Sequence, residues 1–299
     1  LLGKWGTNIQ NIPKKLRRLF IADKGKILVQ VDQAGAEAMI VAYLCMRGNF
    51  RMLFSEGIKS HVYVALRLFE AVWQDKLGRS VREFCDAPID KLKEMKGWDE
   101  LNTLIKDSDE WPANCRYYFM AKMVCHASNY GMKAPTFRVN MLQKSQGAIA
   151  LENKEASRFL KTYHKLFPEI KQWHNETIMT LKNTKMLRNL FGYPRTFTGF
   201  IDESMHKEAY AFVPQSTVGC ITNLAFVELQ NRQDLMDLNV DILQNNHDSV
   251  LLQCPEEHKE FVATEAMKHL NRKLISPRGE PFQMRSEALT GYNWKEMYA

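Results

Sequence analysis

The chain has 299 residues, of which 45% are hydrophobic and 25% charged, and its formal net charge is +7. This composition predicts a globular protein with one large or two smaller cores, and the positive balance suits a polyanionic partner. It excludes a cysteine-based zinc site and a membrane span, because the six cysteines show no C-x-x-C or zinc-ligand spacing and no apolar stretch is long enough to cross a bilayer.

The first predicted elements are a strand and a helix that flank Asp32. Residues 1–13 are loop-like, and the basic stretch at 14–18 is either a solvated surface or a contact with a nucleic-acid backbone. Residues 26–32 form an apolar run that ends in Asp32, and residues 33–45 carry apolar side chains at helical spacing. The pattern predicts a carboxylate at the exposed end of a buried strand, where it could reach a metal or a phosphate. The alternative role is a helix N-cap.

A predicted helix at residues 116–130 carries a row of three polar side chains. Lys122, His126 and Tyr130 lie at positions i, i+4 and i+8, so they share one face of a helix that ends at Gly131. A cation, an imidazole and a phenol in one row could contact a phosphate, a sugar and a base in succession. The alternative is an ordinary half-exposed amphipathic helix.

The other predicted elements are mostly helical. A helical region is expected at 51–69, an insertion with short helices at about 72–111, helices at 153–166 and 168–181, a hairpin or ordered loop at 186–199, a helix at 203–229 with a kink or break at Pro214, a helix at 256–274 and a strand at 282–286.

A second strand-associated carboxylate, Asp248, lies in a β-prone hairpin at residues 243–253. It is more than two hundred positions from Asp32. Two such carboxylates favour a site over a helix N-cap at Asp32.

Three motifs in order give the chain a resemblance to the polymerase domain of family A DNA polymerases, the DNA polymerase I group and its phage relatives. They are Asp32-Gln-Ala-Gly-Ala-Glu37-Ala-Met39, the spacing from Lys122 to Tyr130-Gly131, and His247-Asp248-Ser249. Gln10-Asn-Ile-Pro13 precedes them, Gln215 lies between the second and third, and Gly291-Tyr-Asn-Trp294 follows. The resemblance implies an α+β, right-hand polymerase fold with an antiparallel palm sheet, helical fingers, and a thumb that is absent or truncated.

The resemblance implies template-directed DNA synthesis, with nucleotidyl transfer from a dNTP to a primer 3′-hydroxyl and release of pyrophosphate. Asp32 and Asp248 would hold two Mg²⁺ ions, for which Mn²⁺ could substitute, and the backbone carbonyl of Gln33 would be a further ligand. Lys122 would bind the triphosphate and protonate the leaving group. Asp32, Asp248 and Lys122 are thus the expected catalytic residues.

The same resemblance implies nucleotide and DNA contacts. The expected nucleotide-binding residues are Lys122, His126, Tyr130, His61 near the terminal phosphates, and Glu37, which would exclude the 2′-hydroxyl of a ribonucleotide. The expected DNA-binding residues are Lys4 in the minor groove, and Gln215 and His247 at the template and primer terminus.

The implied domains are palm at 1–50, fingers at 51–200 and palm at 201–299. We expect a monomer that binds primer-template DNA and dNTPs and no membrane, in the cytoplasm or another intracellular compartment of a bacterium or a phage-infected cell, with an organelle left open. Because Leu1 is not an initiator methionine, the N-terminus is expected to be a cut in a longer protein.

The sequence departs from the family pattern at several positions, among them His126, where Phe or Tyr is usual. Tyr118 stands where the family has an arginine four residues before the lysine, and Ser249 replaces a glutamate beside Asp248. These departures leave two alternatives open, a single-subunit RNA polymerase-like enzyme and a catalytically impaired DNA-binding relic. Glu37 argues against the first because RNA polymerases need a small residue there, and both aspartates argue against the second.

Overall fold

A computed structural model describes residues 10, 12–107 and 116–298 of the chain. Within these ranges, helices predominate and the strands pair only in antiparallel fashion, which confirms the α+β class. No helix in the described ranges has both the length and the apolar character needed to cross a bilayer.

The strands of the described residues are short except for the first. They are β1 (Lys26–Gln33), β2 (Met186–Arg188), β3 (Pro194–Thr196), β4 (Asp241–Asn246), β5 (Ser249–Pro255), β6 (Lys273–Ile275), β7 (Pro281–Gln283) and β8 (Ser286–Gly291).

The α-helices of the described residues connect these strands. They are α1 (Ala36–Leu44), α2 (Asn49–Ser55), α3 (Ser60–Leu68), α4 (Glu70–Leu77), α5 (Arg82–Asp86), α6 (Trp98–Asp107), α7 (Arg116–Asn129), α8 (Ala134–Lys144), α9 (Asn153–Leu166), α10 (Pro168–Thr184), α11 (Glu203–Gln230), α12 (Gln233–Asp237) and α13 (Lys259–Leu270). Short 3-10 helices cover Lys14–Leu19, Ile89–Glu94, Glu256–His258 and Glu296–Tyr298.

One compact unit is built on a four-stranded antiparallel sheet and comprises Leu1–Glu37, Arg188–Tyr193 and Val213–Ala299. The strand order is β4-β5-β1-β8, so β1 lies inside the sheet. The apolar residues of β1 are buried on both faces of the sheet, as expected for a continuous apolar run. α13 packs against β1. This unit contains both predicted aspartates.

The second compact unit is helical and comprises Ala38–Leu187 and Pro194–Phe212. At its centre, α7 packs against α3 and α9. An aromatic cluster fills the adjacent core, where the rings of Phe50 and Phe167 meet at a centroid distance of 5.1 Å. The assignment of palm and fingers to the predicted residue ranges stays a prediction.

Three predicted elements differ from the structure. The helix predicted to reach residue 274 ends at Leu270, because Leu274 belongs to β6 and pairs with Phe282 of β7. The strand predicted at 282–286 is therefore the end of β7 and the start of β8. Of the kink or break predicted at Pro214, the break does not occur, since α11 continues through this residue, and the kink stays a prediction. α8 was not predicted from the sequence.

Candidate functional site

The two predicted aspartates lie at neighbouring positions on adjacent strands. Asp32, the penultimate residue of β1, pairs in register with Ser249, the first residue of β5. The backbone N–H of Gln33 donates to the carbonyl of Asp248 at 3.0 Å, which joins the end of β1 to the turn before β5. The sheet register thus brings together two carboxylates that are far apart in sequence.

A tight hairpin turn presents Asp248. β4 ends at Asn246 and β5 begins at Ser249, so His247 and Asp248 alone form the loop. His247 has a φ of 58°, in the left-handed region that two-residue hairpin loops use. Its side chain is exposed, whereas Asp32 and Asp248 are half-buried. The turn therefore holds an imidazole and a carboxylate at one end of the sheet.

The donor atoms around the aspartates are hard oxygens, which suit Mg²⁺ or Mn²⁺. Gln33 Oε1 and Asn246 Oδ1 are buried and have no hydrogen-bond partner within the described part of the chain. The Gln33 amide is held from its other side, because its Nε2 donates to Thr222 Oγ1 at 2.8 Å. No group of three or more His, Cys, Asp or Glu among the described residues could hold a metal ion. The Gln33 side chain lies on the face of β1 opposite Asp32, so the available set is two carboxylates with the Asn246 amide oxygen and backbone carbonyls, which fits a magnesium site.

In the helical unit, α7 carries the predicted row of polar residues. Lys122 and His126 are exposed, and Tyr130, the residue after the helix, is 9% exposed. The His126 and Tyr130 rings meet edge to face, with centroids 5.0 Å apart. The helix ends as predicted at Gly131, whose φ is 66°, and the Met132 N–H closes the end by donating to the Ala127 carbonyl at 2.8 Å.

The residues that support the end of α7 were not found from the sequence. A Cβ added to Gly131 would lie 2.9 Å from the Tyr210 ring. Tyr210 in turn stacks on His174 at a centroid distance of 4.0 Å. His174 Nε2 donates to the Asn129 carbonyl at 2.7 Å, and burial is the main cause that lowers the pKa of His174 from 6.5 to about 4. In the sequence, only the glycine at position 131 indicated that another group packs closely at the end of α7.

The sequence model of DNA polymerase family A matches residues 108–296, more than half of the chain. The chain belongs to DNA polymerase family A. This confirms the resemblance that the three ordered motifs indicate.

Curated relatives of this family A chain are DNA polymerases. It is 24% identical to the thermostable DNA polymerase I of Thermus aquaticus, over 96% of this chain and 30% of that protein. It is 22% identical to DNA polymerase theta of Caenorhabditis elegans, over 97% of this chain and 15% of that protein. The chain thus spans less than a third of the length of these relatives.

A solved structure shares the fold. The POL domain of Pol1 from M. smegmatis, in complex with DNA primer-template and dNTP, superposes with a TM-score of 0.69. The superposition covers 98% of this chain and 45% of that one, at 17% sequence identity. The predicted right-hand polymerase fold is therefore confirmed.

Tyr118, which stands where the family has an arginine, lies close to His61. The Tyr118 hydroxyl lies 3.5 Å from His61 Nδ1, and the two rings meet edge to face. Burial lowers the pKa of His61 from 6.5 to about 3, and the charges of Lys122, Lys59 and His126 add to this effect. His61 is therefore neutral at pH 7 in cationic surroundings. The structure thus brings His61 near Lys122 and His126, and its predicted contact with the terminal phosphates stays a prediction.

The remaining predicted site residues occupy separate positions. Glu37 is the second residue of α1 and is half-buried. Gln215 is exposed on α11 directly after Pro214. Lys4 lies outside the described residues. The roles assigned to these side chains remain predictions.

Proposed function

We propose that this family A chain catalyses template-directed DNA synthesis on primer-template DNA, with dNTPs as the second substrate. The carrying observation is the juxtaposition of Asp32 and Asp248 by the β1–β5 register. In the reaction, the primer 3′-oxygen forms a bond to the α-phosphorus of the dNTP. The bond from that phosphorus to the bridging oxygen of the β-phosphate breaks, and pyrophosphate leaves with that oxygen.

Asp32, Asp248 and the backbone carbonyl of Gln33 would hold two Mg²⁺ ions, or Mn²⁺ in their place. Such ions, when bound, help the primer hydroxyl to lose its proton and neutralise the charge of the triphosphate. The support from this chain is its set of hard oxygen donors at one end of the sheet, the carboxylates of Asp32 and Asp248 and the buried amide oxygen of Asn246.

The polar row on α7 would bind the nucleotide. Lys122 would contact the triphosphate and give a proton to the departing pyrophosphate. His126 and Tyr130 would cover the sugar and the base, which their edge-to-face contact supports because it keeps the two rings close enough to contact one nucleotide. Neutral His61 would offer a hydrogen bond near the terminal phosphates without adding charge.

Three further positions complete the proposal. Glu37 would occupy the space below the 2′ carbon of the sugar and select deoxynucleotides. Gln215 and His247 would contact the template and the primer terminus, and both are exposed.

The decisive experiment replaces each aspartate by its amide. Asp32→Asn and Asp248→Asn should abolish Mg²⁺-dependent primer extension and leave folding and DNA binding nearly unchanged, because only the charge is removed. A matched control is Asp241→Asn, since this carboxylate lies on the same sheet and pairs with Lys26 at 2.6 Å. The control should extend primers as the wild type does. Extension by either site variant at a near-normal rate would refute the assignment.

A further inference from the structure

A buried run of consecutive hydrogen bonds connects Trp294 to Asn246, the residue directly before the turn that contains Asp248. The Trp294 indole N–H donates to Gln30 Oε1 at 2.7 Å. Gln30 Nε2 donates to Ser249 Oγ at 3.2 Å, and Ser249 Oγ donates to the Asn246 carbonyl at 3.2 Å. All four residues are at most 8% exposed, so these bonds form in the protein interior.

Donor chemistry fixes the direction of every bond in this run. An indole N–H can only donate, so the oxygen of the Gln30 amide must face Trp294 and its NH₂ must face Ser249. The Ser249 hydroxyl accepts from that NH₂, so its own proton is available for the Asn246 carbonyl. A run with one arrangement can hold its members in place, because breaking a hydrogen bond between buried polar groups is costly.

The run lies on the face of the sheet that carries Asp32. Side chains alternate along a strand, so Leu28, Gln30 and Asp32 share one face of β1. Ser249 pairs with Asp32 in register and faces the same side. Leu28 and Trp294 belong to one apolar cluster. The hydrogen bonds therefore connect that cluster to the end of β1, where Asp32 lies.

We propose that Gln30, Ser249 and Trp294 are positioning residues that hold the turn of Asp248 against the end of β1. This inference rests on the proposed function. Asn246 and Ser249 flank the two turn residues, and the Ser249 hydroxyl joins these flanks from inside. These hydrogen bonds thus hold the Ser249 side chain in the interior, where a side chain at position 249 cannot act as a metal ligand.

The test replaces one residue of the run at a time and measures Mn²⁺ binding to the DNA-free chain by electron paramagnetic resonance. Trp294→Phe removes one donor, whereas Gln30→Leu and Ser249→Ala each remove one donor and one acceptor. All three variants place an apolar side chain at the position. Each should weaken Mn²⁺ binding about 10- to 100-fold, the usual range for residues that orient metal ligands. In primer extension, kcat should fall and the dNTP KM should stay within about twofold of the wild-type value. Unchanged Mn²⁺ affinity in the variants that fold would overturn the proposal.

Two controls separate positioning from general stability. Ser276→Ala removes another buried hydroxyl of the sheet unit, one that accepts from the Arg278 and Glu280 N–H groups. It should lower stability comparably and leave Mn²⁺ affinity unchanged. The double variant Gln30→Leu with Ser249→Ala should bind Mn²⁺ no more weakly than either single variant, because one run is broken in both. Fully additive losses would contradict a single run.

A glutamate at position 249 provides the opposite test. Ser249→Glu would place a carboxylate where the Gln30 amide and Asn246 now close around a small hydroxyl, so Mn²⁺ binding should weaken. Tighter binding would show that the position is open to the ion and would overturn the proposal. If Asp32→Asn also leaves wild-type Mn²⁺ affinity unchanged, the metal assignment of the proposed function fails as well. If only the Gln30, Ser249 and Trp294 variants have no effect, this inference alone fails.

Discussion

At the scale of single residues, the candidate site combines groups of different charge state. His61 is neutral because burial and nearby cations lower its pKa to about 3, while Lys122 and His126 lie exposed on α7. Tyr118 adds a hydroxyl 3.5 Å from the His61 ring. Under the proposed function, a triphosphate at this site would meet both cationic and neutral hydrogen-bond donors, although position 118 carries no arginine.

We predict that Glu37→Ala raises the use of rNTPs relative to dNTPs. Removing a side chain below the 2′ carbon relieves a clash for one sugar only, so the ratio of insertion efficiencies should change. Single-nucleotide insertion with both sugars, in wild type and variant, measures this ratio. Stability should change little, because a glutamate in the first turn of a helix contributes only about 0.3–1 kcal/mol through the helix dipole. An unchanged ratio would reopen the RNA-polymerase-like alternative.

At the scale of elements, α7 is fixed from its sides and at its end. α3 and α9 pack along it. Beyond its last turn, Gly131 adopts a positive φ directly against the Tyr210 ring. The helix that carries Lys122, His126 and Tyr130 therefore ends at a site with little free space.

We predict that Gly131→Ala lowers the free energy of unfolding by more than Gly147→Ala. Both glycines have a positive φ, which costs an alanine about 1 kcal/mol. A Cβ at Gly131 also meets the Tyr210 ring at 2.9 Å, whereas one at Gly147 has no atom within 4 Å. Urea unfolding of the two variants measures the difference. Equal losses would show that the ring moves aside freely.

At the scale of the whole molecule, charge sets the response to solution conditions. The formal net charge is +7 with histidines neutral. Three histidines of the helical unit have depressed pKa values, with burial as the largest cause. They are His61 at about 3, and His164 and His174 at about 4.

We predict that stability falls as the pH drops from about 6.5 toward 4. The folded pKa values of His164 and His174 lie below the unfolded value of 6.5, so the unfolded state binds more protons in this window. Their contribution is fully present above pH 6.5. Thermal unfolding at pH 7 and pH 5 should show a lower midpoint at pH 5. His164→Gln should reduce the difference, and a midpoint independent of pH would contradict the assignment.

We also predict that affinity for primer-template DNA falls steeply with added salt. A chain of net charge +7 displaces condensed counterions when its cations contact phosphates, so the logarithm of the affinity declines linearly with the logarithm of the salt concentration. Fluorescence anisotropy with labelled primer-template between low and moderate salt measures the slope. A flat response would point to a partner other than DNA.

The local sequence pattern was sufficient to predict several helices and strands. The apolar run that ends in Asp32 predicted β1 and the helix after it, and α9 spans Asn153–Leu166 as predicted. α7 ends at the predicted glycine. These succeeded because apolar periodicity and turn-forming residues act over a few neighbouring positions. The order of the motifs likewise indicated the family, which the matched family model confirms.

Distant pairing caused the errors. The helix predicted to reach 274 failed because Leu274 pairs with Phe282, a contact that helical periodicity at 256–274 cannot register.

The sequence by itself determined the family, the α+β class and the identity of the candidate residues. Only the tertiary structure decided that Asp32 lies beside the turn of Asp248, and that Gln30 joins Trp294 to Ser249. Nothing in the sequence near Gln30 indicates a partner 264 positions away. The physical reason is that strand register and buried hydrogen bonds are satisfied across the fold, by residues that share no local pattern.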